Sequence, residues 1–360
     1  MKGKERVLCA MRRGRPDCVP ILPQIWLDHA ARVSGIAPLN IIQQPHLGGR
    51  AMLQTARHYG LDGFRTWLIY EPRRVLCEGN QVFEIDAKTG EKVGTIDMDG
   101  GWVTQLFAPH NVTSLQDVAA IPVPSAQSYW DSGQCVQMRQ MVQEAGEDHA
   151  VAGRPLGFTM NYLIQMGGAA AGMFLLYDEP RLVHSLFARG LEIAIEQTQA
   201  MRRTGIEIFM LGDAAASCDV ISPAHFKEFV FPYYKTYCDE VHRLGGLVYV
   251  HICGHQTPLA EMLVETGVDC IEPMDPMGGV DPAQMKRLVG QRVALMGGVS
   301  TLTLLRGTAE QVEAEARECI RKAGQGGGYI LAAGCMVPRD TPEDNIRAMV
   351  RAAHEFGVYA

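Results

Sequence analysis

The sequence predicts an α/β fold, a single (β/α)8 barrel over residues 1–360, and three observations carry the prediction. Short apolar runs recur along the chain, helix starts with proline at the first helical position fall between them, and the runs are apolar on both faces, as in a parallel sheet covered by helices. A doubly wound open sheet fits the same alternation and stands as the second reading.

The expected strands, in chain order, are Val19–Ile25, Gly63–Ile69, Ala150–Phe158, Ile206–Leu211, Leu247–Ile252, Val268–Ile271, Val293–Met296 and Tyr329–Ala332. The stretch Gly49–Tyr59 separates the first two as a helix. Helix starts are marked by Asp178-Glu179-Pro180, Ser222-Pro223, Thr257-Pro258, Asp281-Pro282 and Thr341-Pro342, and Thr308 with Gln311 forms a capping box. Glycines 205, 267, 290, 324 and 357 stand where those helices should stop. Val75–Trp102, with Thr89-Gly90 and Asp99-Gly100-Gly101 between alternating runs, is expected as a β-hairpin inserted after the second strand. From there to Gln134, with Pro122 and Pro124, a loop-rich connection is expected.

A 47% hydrophobic and 20% charged composition belongs to a globular chain and excludes a disordered or collagen-like one. A net charge of −7 gives no basic surplus, so no nucleic acid and no membrane surface is expected as a partner. The uncharged stretch Pro155–Tyr177 holds Asn161, Gln165 and several glycines, and is expected as a buried strand and loop, not a membrane span. The charged N-terminus lacks the apolar core of a signal peptide, so a cytoplasmic location is expected, with the ten cysteines reduced.

The chemistry concentrates at Val250-His251-Ile252-Cys253-Gly254-His255. Strand alternation puts His251 and Cys253 on one side, about 6–7 Å apart, close enough to chelate one ion. Ala333-Gly334-Cys335 ends the eighth strand, and in a barrel Cys335 projects over the same C-terminal mouth. One imidazole and two thiolates form a zinc set with a position left for substrate; the competing reading is a pair of core thiols beside a hydrogen-bonded core histidine. Glu272, closing the sixth strand, is the expected fourth ligand and a catalytic candidate. Asp213, ending the fourth, is expected to hold the imidazole or to act as acid or base. His255 reads as a turn residue, Gly326-Gly327-Gly328 as a tight turn on the opposite face, and Gly297-Gly298 as a weak phosphate-site candidate. No dinucleotide fingerprint or Walker loop is present in the sequence.

Several of these residues fall in stretches that resemble a known family. Ser222-Pro223-Ala224-His225-Phe226-Lys227-Glu228-Phe229, His251-Ile252-Cys253-Gly254, Gly327-Gly328-Tyr329 through Gly334-Cys335, and Asp340-Thr341-Pro342 are similar to the uroporphyrinogen decarboxylase superfamily. The likeness is narrower to its zinc-dependent corrinoid methyltransferase branch, of the coenzyme M or O-demethylase type, and runs from Arg6-Val7-Leu8 and Arg15-Pro16 to the C-terminal helix. It implies a barrel with zinc held by His251, Cys253 and Cys335, and a corrinoid (cobalamin) cofactor carried by a separate protein. Decarboxylation is not expected to carry over. That activity needs an arginine-rich stretch after the first strand, where residues 19–31 hold none.

The expected activity is methyl transfer between a small-molecule donor or acceptor and corrinoid cobalt, with the corrinoid protein docked over the barrel mouth. Basic residues at the strand ends are few, mainly Arg65, Arg154 and Arg339, which favours a methylated donor such as an aromatic methyl ether over a sulfonated thiol or a folate. Gln24, Trp67, Phe158 and Met296 are the expected substrate contacts. The alternatives are transfer from methyl-corrinoid to a thiol or tetrahydrofolate, uroporphyrinogen decarboxylation, and a non-catalytic tetrapyrrole-binding barrel.

Overall fold

The computed structural model describes residues 1–67, 74–79, 81–85, 90–97, 102–105 and 112–359. Its strands are β1 (Gly63–Trp67), β2 (Arg74–Glu78), β3 (Gln81–Ile85), β4 (Lys92–Asp97), β5 (Trp102–Gln105), β6 (Ala150–Arg154), β7 (Ile208–Gly212), β8 (Leu247–His251), β9 (Cys270–Met274), β10 (Ala294–Val299) and β11 (Tyr329–Ala333). Seven of them form one sheet in the order β1-β6-β7-β8-β9-β10-β11. Every neighbouring pair is parallel, so each strand reaches the next through a helical crossover.

The sheet curls, with residues 20–24 bonded to both of its edges. Leu331 of β11 donates its N–H to Pro20 O and accepts from Leu22 N–H, while Asp62, just before β1, donates to Ile21 O. The expected first strand Val19–Ile25 is thus an irregular stretch with isolated bridges from Ile21 to Leu331 and from Gln24 to Met336. Pro20 and Pro23 explain the difference, because each removes a ladder donor.

Three further expectations change. The insertion after β1 is a four-stranded antiparallel sheet, β2-β3-β4-β5, and not a single hairpin. Gly79, at φ 58°, turns β2 into β3 at a break that the sequence reading passed over. Leu68 and Ile69 of the expected second strand, Thr89, and Asp99-Gly100-Gly101 lie outside the described residues. The connection to Gln134 is helical where described, at Leu115–Ala120 and Ala126–Asp131, with Ser114 and Ser125 as N-caps and Asp117 completing a capping box with Ser114. Likewise, β6 ends at Arg154, before Pro155, and the uncharged stretch beyond it forms the helices Met160–Gly167 and Ala169–Asp178. Among the described residues no helix is long and apolar enough to cross a membrane.

Other local signals hold in part: Asp178, Thr257 and Thr341 do not cap their helices, whose N-cap positions are Glu179, Gln256 and Pro342. Ser222 and Asp281 accept from backbone N–H groups of the helices they start, and Thr308 and Gln311 cap each other. Thr308→Ala is expected to cost about 1 kcal/mol in a denaturant titration, as the loss of one N-cap does.

Two apolar regions flank the strands. Inside the curl, Leu22, Ala150, Ala152, Ile208, Met210, Tyr249, Cys270, Ala294, Met296, Ile330 and Ala332 pack together, with Val7, Leu8, Ala10 and Met11 of the N-terminal helix against them. Outside, the strands bury their other face against the helices, where Phe158, Phe226, Tyr234 and Tyr237 are among the largest fully buried side chains. The inner residues lie at every second position of their strands, as alternation requires. That same parity sends Arg65, His251 and Glu272 inward.

Candidate metal centre

His251 is the last residue of β8, paired in register with Gly212 of β7 and Glu272 of β9. Cys253 follows two residues later, ahead of a turn at Gly254, which has φ 89°. Cys335 comes just past β11, where Gly334 N–H donates to Val299 O of the adjacent strand at 2.6 Å. Parallel ladders therefore bring together residues far apart along the chain. One ligand atom from each of His251, Cys253 and Cys335 lies within 4.8 Å of the other two, and Cys335 Sγ stands 3.9 Å from His251 Nε2. Donors around a tetrahedral zinc lie about 3.5–3.8 Å apart, so a small contraction would seat the ion.

The electrostatics favour a cation here. The Cys335 thiol hydrogen-bonds to Cys253 and holds the Cys253 sulfur below the usual thiol range although burial opposes it; Cys335 itself is pushed up by that bond and by burial. His251 is buried, and its Nδ1 donates to Glu272 Oε2 at 3.0 Å, which leaves Nε2 as the free nitrogen facing the sulfurs. Burial disfavours the imidazolium, but Glu272 and Cys335 raise His251 on balance. Two sulfurs and one properly turned imidazole fit zinc by donor chemistry as well as by spacing.

Glu272, the expected fourth ligand, is fully buried; its Oε1 accepts from Arg65 Nη2 and its Oε2 from His251 Nδ1, so it orients the His251 imidazole and both oxygens have partners. Asp213 does not hold the imidazole. Its carboxylate accepts from the Thr159 hydroxyl, the N–H groups of Met160 (3.1 Å) and Asn161 (2.6 Å) and the Tyr234 hydroxyl, capping the helix that begins at Met160. Only its backbone N–H reaches His251, at the carbonyl oxygen, 2.9 Å away. Sequence order placed Asp213 beside His251, but the fold directs its side chain the other way.

The expected substrate contacts divide. Gln24 forms a backbone bridge to Met336, the neighbour of Cys335, and its buried Oε1 has no hydrogen-bond partner. Trp67 is half-buried at the end of β1 with its ring 5.5 Å from that of Trp26, over which the Arg154 guanidinium lies at 4.9 Å. Phe158 instead packs outside the sheet against Tyr234 and Tyr237, and Met296 is sealed inside the curl; both are core residues. His255 is an exposed turn residue, with its N–H on Asp219. Gly326, Gly327 and Gly328 all have positive φ in a tight turn, and a Cβ at Gly297 would meet Met274 N at 2.5 Å, so that glycine serves close strand packing.

Sequence reasoning missed the part played by Arg65 and Tyr249. The signal was present: Arg65 interrupts an apolar strand with the inward parity of its glycine and tryptophan neighbours at 63 and 67.

Fold and site together define an α/β protein with a curled parallel sheet carrying a histidine–dithiol cluster able to hold a metal ion at the C-terminal ends of its strands. Residues 108–356 match the family model described as uroporphyrinogen decarboxylase (URO-D). The chain belongs to the uroporphyrinogen decarboxylase family. It is 30% identical over 176 residues to the methylcobamide:CoM methyltransferase MtaA of Methanosarcina barkeri, 48% of this chain and 49% of that one. The chain thus spans about half the length of the methyltransferases it matches. It is 25% identical, over 98% of its length and 99% of the relative's, to uroporphyrinogen decarboxylase of Anaeromyxobacter dehalogenans. A solved methyltransferase from Methanosarcina mazei superposes with a TM-score of 0.76, covering 99% of both chains at 21% identity, which establishes likeness of fold.

Proposed function

We propose that the protein is a zinc-dependent methyltransferase, a single-domain (β/α)8 barrel closed through residues 19–25, that moves a methyl group between a small molecule and the cobalt of a corrinoid. The observation that carries the reading is the convergence of His251, Cys253 and Cys335. Zinc in that set supplies Lewis acidity, which holds a thiol as thiolate or polarises a heteroatom that must release its methyl group. The chain's own residues do the rest. His251 is oriented by Glu272, the two sulfurs face it, and Gln24 Oε1 offers an acceptor to a polar group of the substrate. Trp67 and Trp26 form an aromatic wall at the end of β1. The corrinoid is carried by a partner protein that docks over the mouth.

An aromatic methyl ether as donor is supported by the tryptophan wall and by the state of Arg65, whose charge is already paired with Glu272. Transfer to a thiol is the second reading, favoured by the names of the relatives, a methylcobamide:CoM methyltransferase and a methylated-thiol–coenzyme M methyltransferase. Incubation with cobalt(I) corrinoid and a panel of methylated compounds, and in reverse with methyl-cobalt and thiols or tetrahydrofolate, separates them by the visible spectrum. The expected result is methyl-cobalt formation from an ether; methyl-cobalt consumed only by a thiol would select the second reading. Uroporphyrinogen is expected to give no coproporphyrinogen, since residues 19–31 offer no arginine to its carboxylates. Turnover of it, without any methyl transfer, would replace the proposal.

A further inference from the structure

Arg65 is a buried cation with no part in the chemistry above, and its surroundings connect it to the centre. The residue is 4% exposed. Its Nε donates to the Tyr249 hydroxyl at 2.6 Å, its guanidinium lies 5.3 Å from the centre of the Tyr249 ring, and its Nη2 donates to Glu272 Oε1. The other oxygen of Glu272 holds His251 Nδ1. Among the described residues, Arg65 and His251 are the hydrogen-bond partners of the Glu272 carboxylate.

We propose that Arg65 is a positioning residue for the metal centre, acting through Glu272 on His251. The inference rests on the zinc reading. A carboxylate beside a bound cation has an alternative to its outer position, which is to bind the ion itself. A guanidinium on the far oxygen works against that: it engages Oε1 and leaves Oε2 to accept the Nδ1 proton, which fixes the tautomer and strengthens Nε2 as a donor to the metal. The Tyr249 hydroxyl anchors the fork from the other side. A lysine ammonium cannot span both partners, so the arrangement calls for arginine.

The test measures zinc affinity by chelator competition, with the visible bands of the cobalt(II)-substituted protein as a second reading of the ligand set. It compares the wild type, Arg65→Met, Glu272→Gln and the double variant, each checked for folding by circular dichroism. Each single variant is expected to weaken metal binding about 10- to 100-fold, the range for outer partners of ligating histidines. The double variant is expected to be no weaker than Glu272→Gln alone, because Arg65 acts through Glu272. Unchanged or tighter binding by Arg65→Met, or a double loss equal to the product of the single ones, overturns the inference. If Arg65→Met does not fold, Tyr249→Phe removes one anchor while keeping the ion pair; a loss of about 3-fold that vanishes in the Glu272→Gln background supports the inference, and no loss overturns it. A wild-type protein that binds no zinc fails the zinc reading itself, whereas tight wild-type binding with no effect of Arg65 fails the inference alone.

Discussion

Replacing Cys253 with alanine is expected to lower bound zinc well below one ion per chain and to abolish methyl transfer while the protein stays folded. Cys253 is half-buried and lies beyond the end of β8, so its removal opens no large core cavity. What it removes, on the proposed zinc reading, is one of three protein ligands. A site reduced to one imidazole and one sulfur no longer has the donor set that holds zinc against competing chelators. Cys335→Ala is expected to do the same. Zinc measured after gel filtration, beside circular dichroism of the same sample, reads both halves of the expectation. Full zinc content in the folded Cys253→Ala protein would mean that the ion, if bound, sits elsewhere.

Glu272→Ala is expected to destabilise the fold by about 3–5 kcal/mol, because it strands the buried charge of Arg65. The side chains of Arg65 and Glu272 are 5% and 1% exposed, so the guanidinium that remains is buried. Burial alone would raise the Glu272 carboxyl, but Arg65 and then His251 outweigh it and hold it below its ordinary 4.5. A depressed carboxyl contributes stability that is complete above the unfolded-state value and is lost as pH falls through the native one. The gap between wild type and Glu272→Ala in urea should therefore be full at neutral pH and narrow on acidification below about 4.5. A constant gap down to pH 3 would show that packing, not the ion pair, makes the difference.

Much of this architecture was legible in the sequence, and the failures have physical causes. The strand and helix alternation was readable because a parallel sheet covered on both sides needs near-continuous apolar strands and capped crossovers. Val19–Ile25 was apolar enough to read as a strand, but hydropathy does not register the donors that Pro20 and Pro23 remove. The stretch after Pro155 looked like strand and loop because an uncharged run has no polar face from which to read a helical period. His251, Cys253 and Cys335 could be placed at strand ends, and strand ends share one rim. Glu272 and Asp213 were located at the rim but not aimed. The partners of a carboxylate depend on register across neighbouring strands, and on which helix start needs an acceptor, neither of which spacing along the chain reveals. Phe158 and Met296 are apolar residues near strand ends, and their spacing in the sequence does not show which side of the sheet they face.

The most direct measurement is the zinc-edge X-ray absorption spectrum of the purified protein. The account predicts two sulfur scatterers at about 2.3 Å and imidazole nitrogen at about 2.0 Å. A first shell of oxygen and nitrogen without sulfur would contradict it.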